Sequence, residues 1–176
     1  MEEEIERLYL DHSDQVYRYI YLLTRHKENA EDLTQETFYK AYKNWNSFNH
    51  QSSVSTWLLK IARNVTYDYF RRKKIIRFFS LENENDLDSN SAAFDDIIER
   101  KEQANQLHNA LKLLKKDYQD VLILRKVNEC SIKETAFILG WTEAKVKTKM
   151  ARALDALKKE LTGEGVSMDE FQQKTR

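Results

Sequence analysis

Ser131 to Leu161 reads SIKETAFILGWTEAKVKTKMARALDALKKEL, two helices joined by a tight turn. Ser131 and Glu134 form a capping box: the hydroxyl accepts from a first-turn N–H while the carboxylate reaches back to the cap. Ile132, Thr135, Ala136 and Leu139 then share one face at helical spacing. Gly140 stands where a left-handed residue ends a helix, a conformation open to glycine because it has no Cβ. Thr142 is placed to cap the next helix, and Glu143 lies in its first turn, where the helix dipole favours an anion. Val146, Met150, Ala153, Leu157 and Leu161 make the apolar stripe of that second helix, and Lys145, Lys147, Thr148, Lys149 and Arg152 fall largely outside it. A helix in the DNA major groove offers its N-terminal residues to base edges and its cations to phosphates. The stretch fits such a helix-turn-helix. The plainer alternative is a helical hairpin with a solvated basic face.

Composition narrows the rest. A chain of 176 residues makes one ordinary domain or two small ones. It has no Pro and three Gly, and 33% of it is charged, which predicts an all-α class with modest cores. The single cysteine, Cys130, excludes an internal disulfide and is expected to be an inert, small residue. The N-terminus MEEEIERLYL is acidic, and no 18-residue apolar run occurs. A cytoplasmic protein without membrane insertion is expected. His12, His26, His50 and His108 are scattered, none at metal-ligand spacing from another, and there is no Gly-rich phosphate loop or nucleophile constellation. No catalytic residue, metal or cofactor is therefore expected, and the chain does not read as an enzyme.

Along the chain, Ile5, Leu8, Tyr9, Val16, Tyr17, Ile20 and Leu23 predict one or two amphipathic helices. Asn29 is placed to cap a helix over 30–45 with two unlike faces. Ala30, Leu33, Phe38, Ala41 and Trp45 can face a core, and Asp32, Gln35, Glu36, Tyr39 and Lys43 line the other side. That second stripe is either solvated surface or a docking face. The polar loop NSFNHQSSVS (46–55) carries one aromatic, Phe48, either tucked against a helix or exposed to stack on an unpaired base.

Ser55 to Lys74, STWLLKIARNVTYDYFRRKK, again has two sides. Trp57, Leu58, Ile61, Val65 and Phe70 can be buried; Lys60, Arg63, Asn64, Tyr67, Arg71 and Arg72 are basic, aromatic and amide-bearing. From 55 to 77 there are seven cations against one anion, Asp68. Cations beside aromatics and an amide are the ingredients of single-strand binding: phosphate attraction, stacking and hydrogen bonds to a base edge. A basic helix end is otherwise a solvated C-terminus favoured by the dipole.

Residues 80–99 hold seven acidic residues and no cation, which predicts an extended or disordered tether. It offsets the basic patches and brings the net charge to zero. Leu107, Leu111 and Leu114, then Val121, Ile123, Leu124 and Val127, predict two further helices leading into the hairpin. The expected organisation is a helical domain over 1–78, a flexible acidic linker over 79–102, a four-helix domain over 103–162 and a tail over 163–176.

Together these segments resemble the sigma-70 family of RNA polymerase sigma factors, in its extracytoplasmic-function (ECF) group. AEDLTQETFYKAY (30–42) resembles the family's region 2.2, STWLLKIARNVTYDYFRRKK regions 2.3 and 2.4, and the segment from Asp117 through KVKTKMARALDAL region 4. The resemblance spans roughly residues 5–161, apart from the acidic linker. Within the group it resembles the SigX-like factors of Bacillus-type bacteria, linked to cell-envelope stress.

The resemblance implies a region 2-like bundle and a region 4-like helix-turn-helix. It implies that Asp32, Gln35, Glu36 and Tyr39 meet the clamp helices of the largest polymerase subunit, with a further contact to the flap. Phe48 and Asn64 would capture a base flipped from the −10 element, while Lys60, Arg63, Tyr67, Arg71 and Arg72 hold the melted strand. Lys145, Lys147, Thr148, Lys149 and Arg152 would meet the −35 element. Core RNA polymerase, promoter DNA and an anti-sigma factor are the implied partners. Thr142 departs from the proline frequent there, and Ala151 and Leu154 from longer polar side chains, which leaves the preferred −35 sequence open. The competing reading is a regulator binding duplex DNA as a dimer, which leaves the carboxylate stripe and the basic-aromatic helix without a role.

Overall fold

The computed structural model describes residues 2–79 and 98–163, with side chains over 6–75 and 105–162. The acidic stretch 80–97 and the tail from 164 lie outside the described residues, as do the side chains of Ile5 and Arg77. The chain divides into two compact units, Met1–Ala92 and Ala93–Arg176, and every regular element described is helical.

The first unit is a three-helix bundle of α1 (Glu2–Thr24), α2 (Lys27–Lys43) and α3 (Val54–Phe79), each packed on the other two. The first apolar pattern is thus one continuous helix. Arg25, with φ 58°, turns the chain in the two-residue connection to α2. There the start differs from expectation: His26 is the cap, its ring nitrogen accepting from the Asn29 N–H at 3.4 Å. Asn29 is inside the first turn, serving through its backbone. Trp45 likewise lies past the end of α2, in a 3₁₀ turn over Trp45–Ser47.

Val16, Tyr19 and Ile20 from α1, Ala30, Leu33, Phe38 and Ala41 from α2, and Leu58, Leu59, Ala62 and Val65 from α3 form the core. Burial of each large side chain contributes about 1.5–3 kcal/mol. Four threonines are buried with them. Three donate to a carbonyl one turn back, Thr34 to Ala30, Thr37 to Leu33 and Thr66 to Ala62, at 2.7–2.8 Å, and the Thr56 hydroxyl pairs with that of Ser53 at 2.8 Å. Each hydroxyl has a partner on its own helix or at its start, so its burial carries no desolvation penalty of an unmade bond. Ser53 starts α3 by accepting from the Thr56 N–H, and the Ser55 hydroxyl donates to Gln15 of α1 at 2.6 Å.

The second unit contains α4 (Ile98–Leu113), α5 (Lys116–Leu122), α6 (Ile132–Leu139) and α7 (Glu143–Gly163). Residues 98–102, expected to be linker, are the first turn of α4. Glu99, Arg100, Lys101 and Glu102 mix charge signs and favour helix, so the like-charge repulsion upstream ends there. α7 packs against the other three helices, burying Val146, Ala153, Leu157 and Leu161 against Leu111, Leu114, Val121, Leu124 and Ile138. α5 runs on into a π-helical turn over Ile123–Val127, where the Asn128 N–H donates to the Ile123 carbonyl five residues back. The Arg125 guanidinium donates to the Cys130 carbonyl, closing the loop before α6.

Candidate nucleic-acid interface

The hairpin forms as its local chemistry dictates. Ser131 accepts from the Glu134 N–H at 3.1 Å while Glu134 accepts from the Ser131 N–H at 2.7 Å. Gly140 ends α6 in the left-handed region, φ 65°. Thr142 accepts from the Lys145 N–H at 3.2 Å and opens α7. Lys145, Lys147, Thr148 and Arg152 are exposed along α7. The Lys145 ammonium stands 4.5 Å from the Trp141 ring centre, and Thr148 bonds back to the Ala144 carbonyl. Lys149 is different: half-buried, it pairs with Asp117 of α5 at 2.8 Å.

On α3, the half-buried Lys60, Arg63 and Tyr67 and the exposed Asn64, Arg71 and Arg72 run along the outer face. The Arg63 guanidinium lies 4.7 Å from the Tyr67 ring centre, a cation–π contact that aligns both side chains. Arg71 pairs with Asp68 at 3.0 Å. Among the described residues the basic-aromatic side is therefore partly prearranged by contacts within the helix.

Phe48 is half-buried, with its ring against other aromatics. Its ring stacks on Trp45 with centres 5.5 Å apart, meets Trp57 of α3 at 5.1 Å and contacts His50 at 4.6 Å. It belongs to an aromatic cluster with Trp45, His50 and Trp57 that leaves the residue partly exposed.

On α2, Asp32, Gln35 and Tyr39 face outward, Tyr39 with 56% of its surface exposed. Lys43 lies 4.6 Å from the Tyr39 ring centre. Glu36 is less open, held by Lys40 at 3.0 Å and by Arg72 of α3 at 3.7 Å. Gln35 also borders a groove against Tyr9 and Tyr17 of α1. Burial, with Glu31 and Tyr21 nearby, raises the Tyr17 pKa. Burial also lowers that of Arg25, whose Nε and Nη2 find no acceptor among the described residues. No group of three or more His, Cys, Asp or Glu able to hold a metal occurs among the described residues, and no described helix is long and apolar enough to cross a membrane.

Sequence reasoning missed Asp117, Tyr118 and Trp141 as neighbours of the basic helix. Only the closeness of Trp141 to Lys145 was visible in the chain; the 32 residues from Asp117 to Lys149 left no local signal.

The chain thus joins a three-helix bundle, with a carboxylate stripe and a basic-aromatic helix, to a unit that ends in a capped helix-turn-helix. The sigma-70 region 2 pattern matches residues 8–75, and the sigma-70 region 4 pattern matches 104–157. The chain is 36% identical over 161 residues to the RNA polymerase sigma factor YlaC of Bacillus subtilis, spanning 91% of this chain and 93% of that one. It is 33% identical to the ECF sigma factor SigX of the same organism, spanning 100% and 94%. Among solved structures, the Bartonella quintana sigma factor RpoE, in complex with the anti-sigma factor NepR, aligns with a TM-score of 0.74. That alignment is at 22% identity, over 91% of this chain and 98% of the other. CnrH, in complex with the cytosolic domain of CnrY, aligns with a TM-score of 0.71 at 18% identity, over 94% and 92%. The chain belongs to the sigma-70 family, in its extracytoplasmic-function group. YlaC lies as near as SigX, so the resemblance to SigX-like factors singles out no subgroup.

Proposed function

We propose that this chain directs transcription initiation in the cytoplasm as a dissociable, non-catalytic subunit of RNA polymerase. It brings the core enzyme to promoters and traps the opened strand. The observation that carries this reading is the pairing, on one chain, of a basic-aromatic α3 with a capped basic α7. A duplex-only regulator has use for the second and none for the first.

In this reading the domain over 1–78 docks on the polymerase clamp helices through Asp32, Gln35, Glu36 and Tyr39. Asn64 and the loop held by Phe48 receive a flipped −10 base, and Lys60, Arg63, Tyr67, Arg71 and Arg72 hold the single strand. Melting is favoured because the strand gains stacking and phosphate contacts that the duplex does not offer. The domain over 103–162 reads the −35 element with Lys145, Lys147, Thr148 and Arg152, through phosphates and groove shape as well as base edges. The acidic connection between α3 and α4 lets the two domains spread across the polymerase and its flap or close around an anti-sigma factor. Cell-envelope stress is the proposed setting.

Promoter-dependent transcription with purified core polymerase tests the reading. Wild type is expected to direct specific initiation, Asp32→Ala/Gln35→Ala to lose core binding, and Asn64→Ala to bind core yet open promoters poorly. Duplex binding by the isolated chain, with no specific initiation on any template, would replace this reading with that of a plain regulator.

A further inference from the structure

Lys149 lies on the basic helix, but its ammonium is already held. Nζ donates to Asp117 Oδ2 at 2.8 Å and stands 5.6 Å from the Tyr118 ring centre and 5.9 Å from that of Trp141. The lysine side chain is 27% exposed and the aspartate 47%. Asp117 sits in the first turn of α5, where free backbone N–H groups favour an anion. Trp141 lies in the turn between α6 and α7. One cation therefore touches the start of α5, the hairpin turn and its own helix at once. Reaching a phosphate would mean leaving both rings and abandoning a carboxylate at hydrogen-bond distance. Lys147 and Arg152 are exposed and face no such cost.

We propose that Lys149 is a positioning residue and not a DNA contact: with Asp117 it fixes the rotation of α7 about its axis, and so which side chains meet base edges. Its effect is on discrimination between sequences, while the exposed cations supply the attraction to phosphate. The inference rests on the reading of α7 as the −35 helix.

The test uses holoenzyme assembled from core polymerase and the full chain. Its duplex probes are a promoter fragment selected by wild-type holoenzyme from a pool randomised upstream of the start, and the same fragment with the −35 segment scrambled. Lys147→Ala should lower the slope of log affinity against log salt by about one. Lys149→Met keeps the stem and removes the charge. It and Asp117→Asn should each keep the wild-type slope and cut discrimination between the fragments about five-fold, the double variant being no worse than either single one.

A slope lowered by about one in Lys149→Met, with Asp117→Asn silent, makes Lys149 a phosphate contact and ends the proposal. Lower melting temperatures with discrimination intact end it too, leaving a merely structural pair. If neither Lys147→Ala nor Arg152→Ala moves slope or discrimination, the −35 reading itself fails. The positioning role then falls with it, by a signature that no Lys149 variant can imitate.

Discussion

Glu36 on α2 and Arg72 on α3 stand 3.7 Å apart, so a carboxylate of the proposed polymerase stripe neutralises a cation of the proposed strand-holding set. The arginine side chain is 60% exposed, which limits the pair to under ~1 kcal/mol of stability. Glu36→Gln should therefore shift the urea midpoint little, weaken core binding and tighten binding of holoenzyme to a single-stranded −10 oligonucleotide by freeing Arg72. Fluorescence anisotropy with labelled oligonucleotide reads the last effect. Weaker binding would mean that Glu36 orients Arg72 instead of competing for it.

Gly140 and Ser131 separate backbone strain from capping. A Cβ added at Gly140 meets nothing within 4 Å, so the cost of Gly140→Ala is that of a left-handed alanine, about 1 kcal/mol. Ser131→Ala removes one half of the capping box and should also cost about 1 kcal/mol. Denaturant titration of the two variants checks both figures. A loss several times larger at Gly140 would point to a clash that the open space around it does not provide.

The Cys130 thiol gives a pH dependence of known sign. Burial first, and Glu134 second, push its pKa from 9.0 up to about 11 against the pull of Arg125. The folded state holds the thiol proton more tightly than the unfolded one. That contribution to stability is complete below about pH 9 and disappears as pH rises through about 11. Wild type should lose urea stability over this window more steeply than Cys130→Ala. Parallel curves would show that the thiol does not titrate as its burial requires.

Phe48 can be judged by folding alone. Its contacts with Trp45 and Trp57 imply that Phe48→Ala costs about 1–3 kcal/mol, since each such aromatic pair contributes about 0.5–1.5 kcal/mol. Thermal unfolding followed by tryptophan fluorescence measures it. A neutral variant would return Phe48 to the role of an exposed stacking surface.

Local chemistry made much of this legible in the sequence. The capping box at Ser131, the left-handed Gly140 and the Thr142 cap need only residues three or four apart, and all form as read. Apolar spacing correctly placed Ala30, Leu33, Phe38 and Ala41 inside. It failed where chemistry departs from habit: His26 caps α2 through a ring nitrogen, a rarer acceptor than the asparagine side chain expected there. Spacing also could not reveal the π-helical turn, because Val121, Ile123, Leu124 and Val127 suit an unbroken α-helix as well. Of the candidate site, the outward placement of Asp32, Asn64 and Lys147 was visible in their periodicity. The pairs Glu36–Arg72 and Lys149–Asp117 were not, for they arise only when separate helices meet.

The π-helical turn at Ile123–Val127 has a consequence for how this chain tolerates a change in length. An α-helix advances about 100° per residue, and a wide turn accommodates one residue more than its neighbours. Deleting a single residue there would leave composition and hydrophobicity almost untouched. It would nevertheless swing Ser131 and the hairpin behind it by about 100° around α5, carrying Lys149 away from Asp117. Those five residues act as a phase-setter: their number decides where around α5 the hairpin begins, and the Lys149–Asp117 pair forms only in that phase.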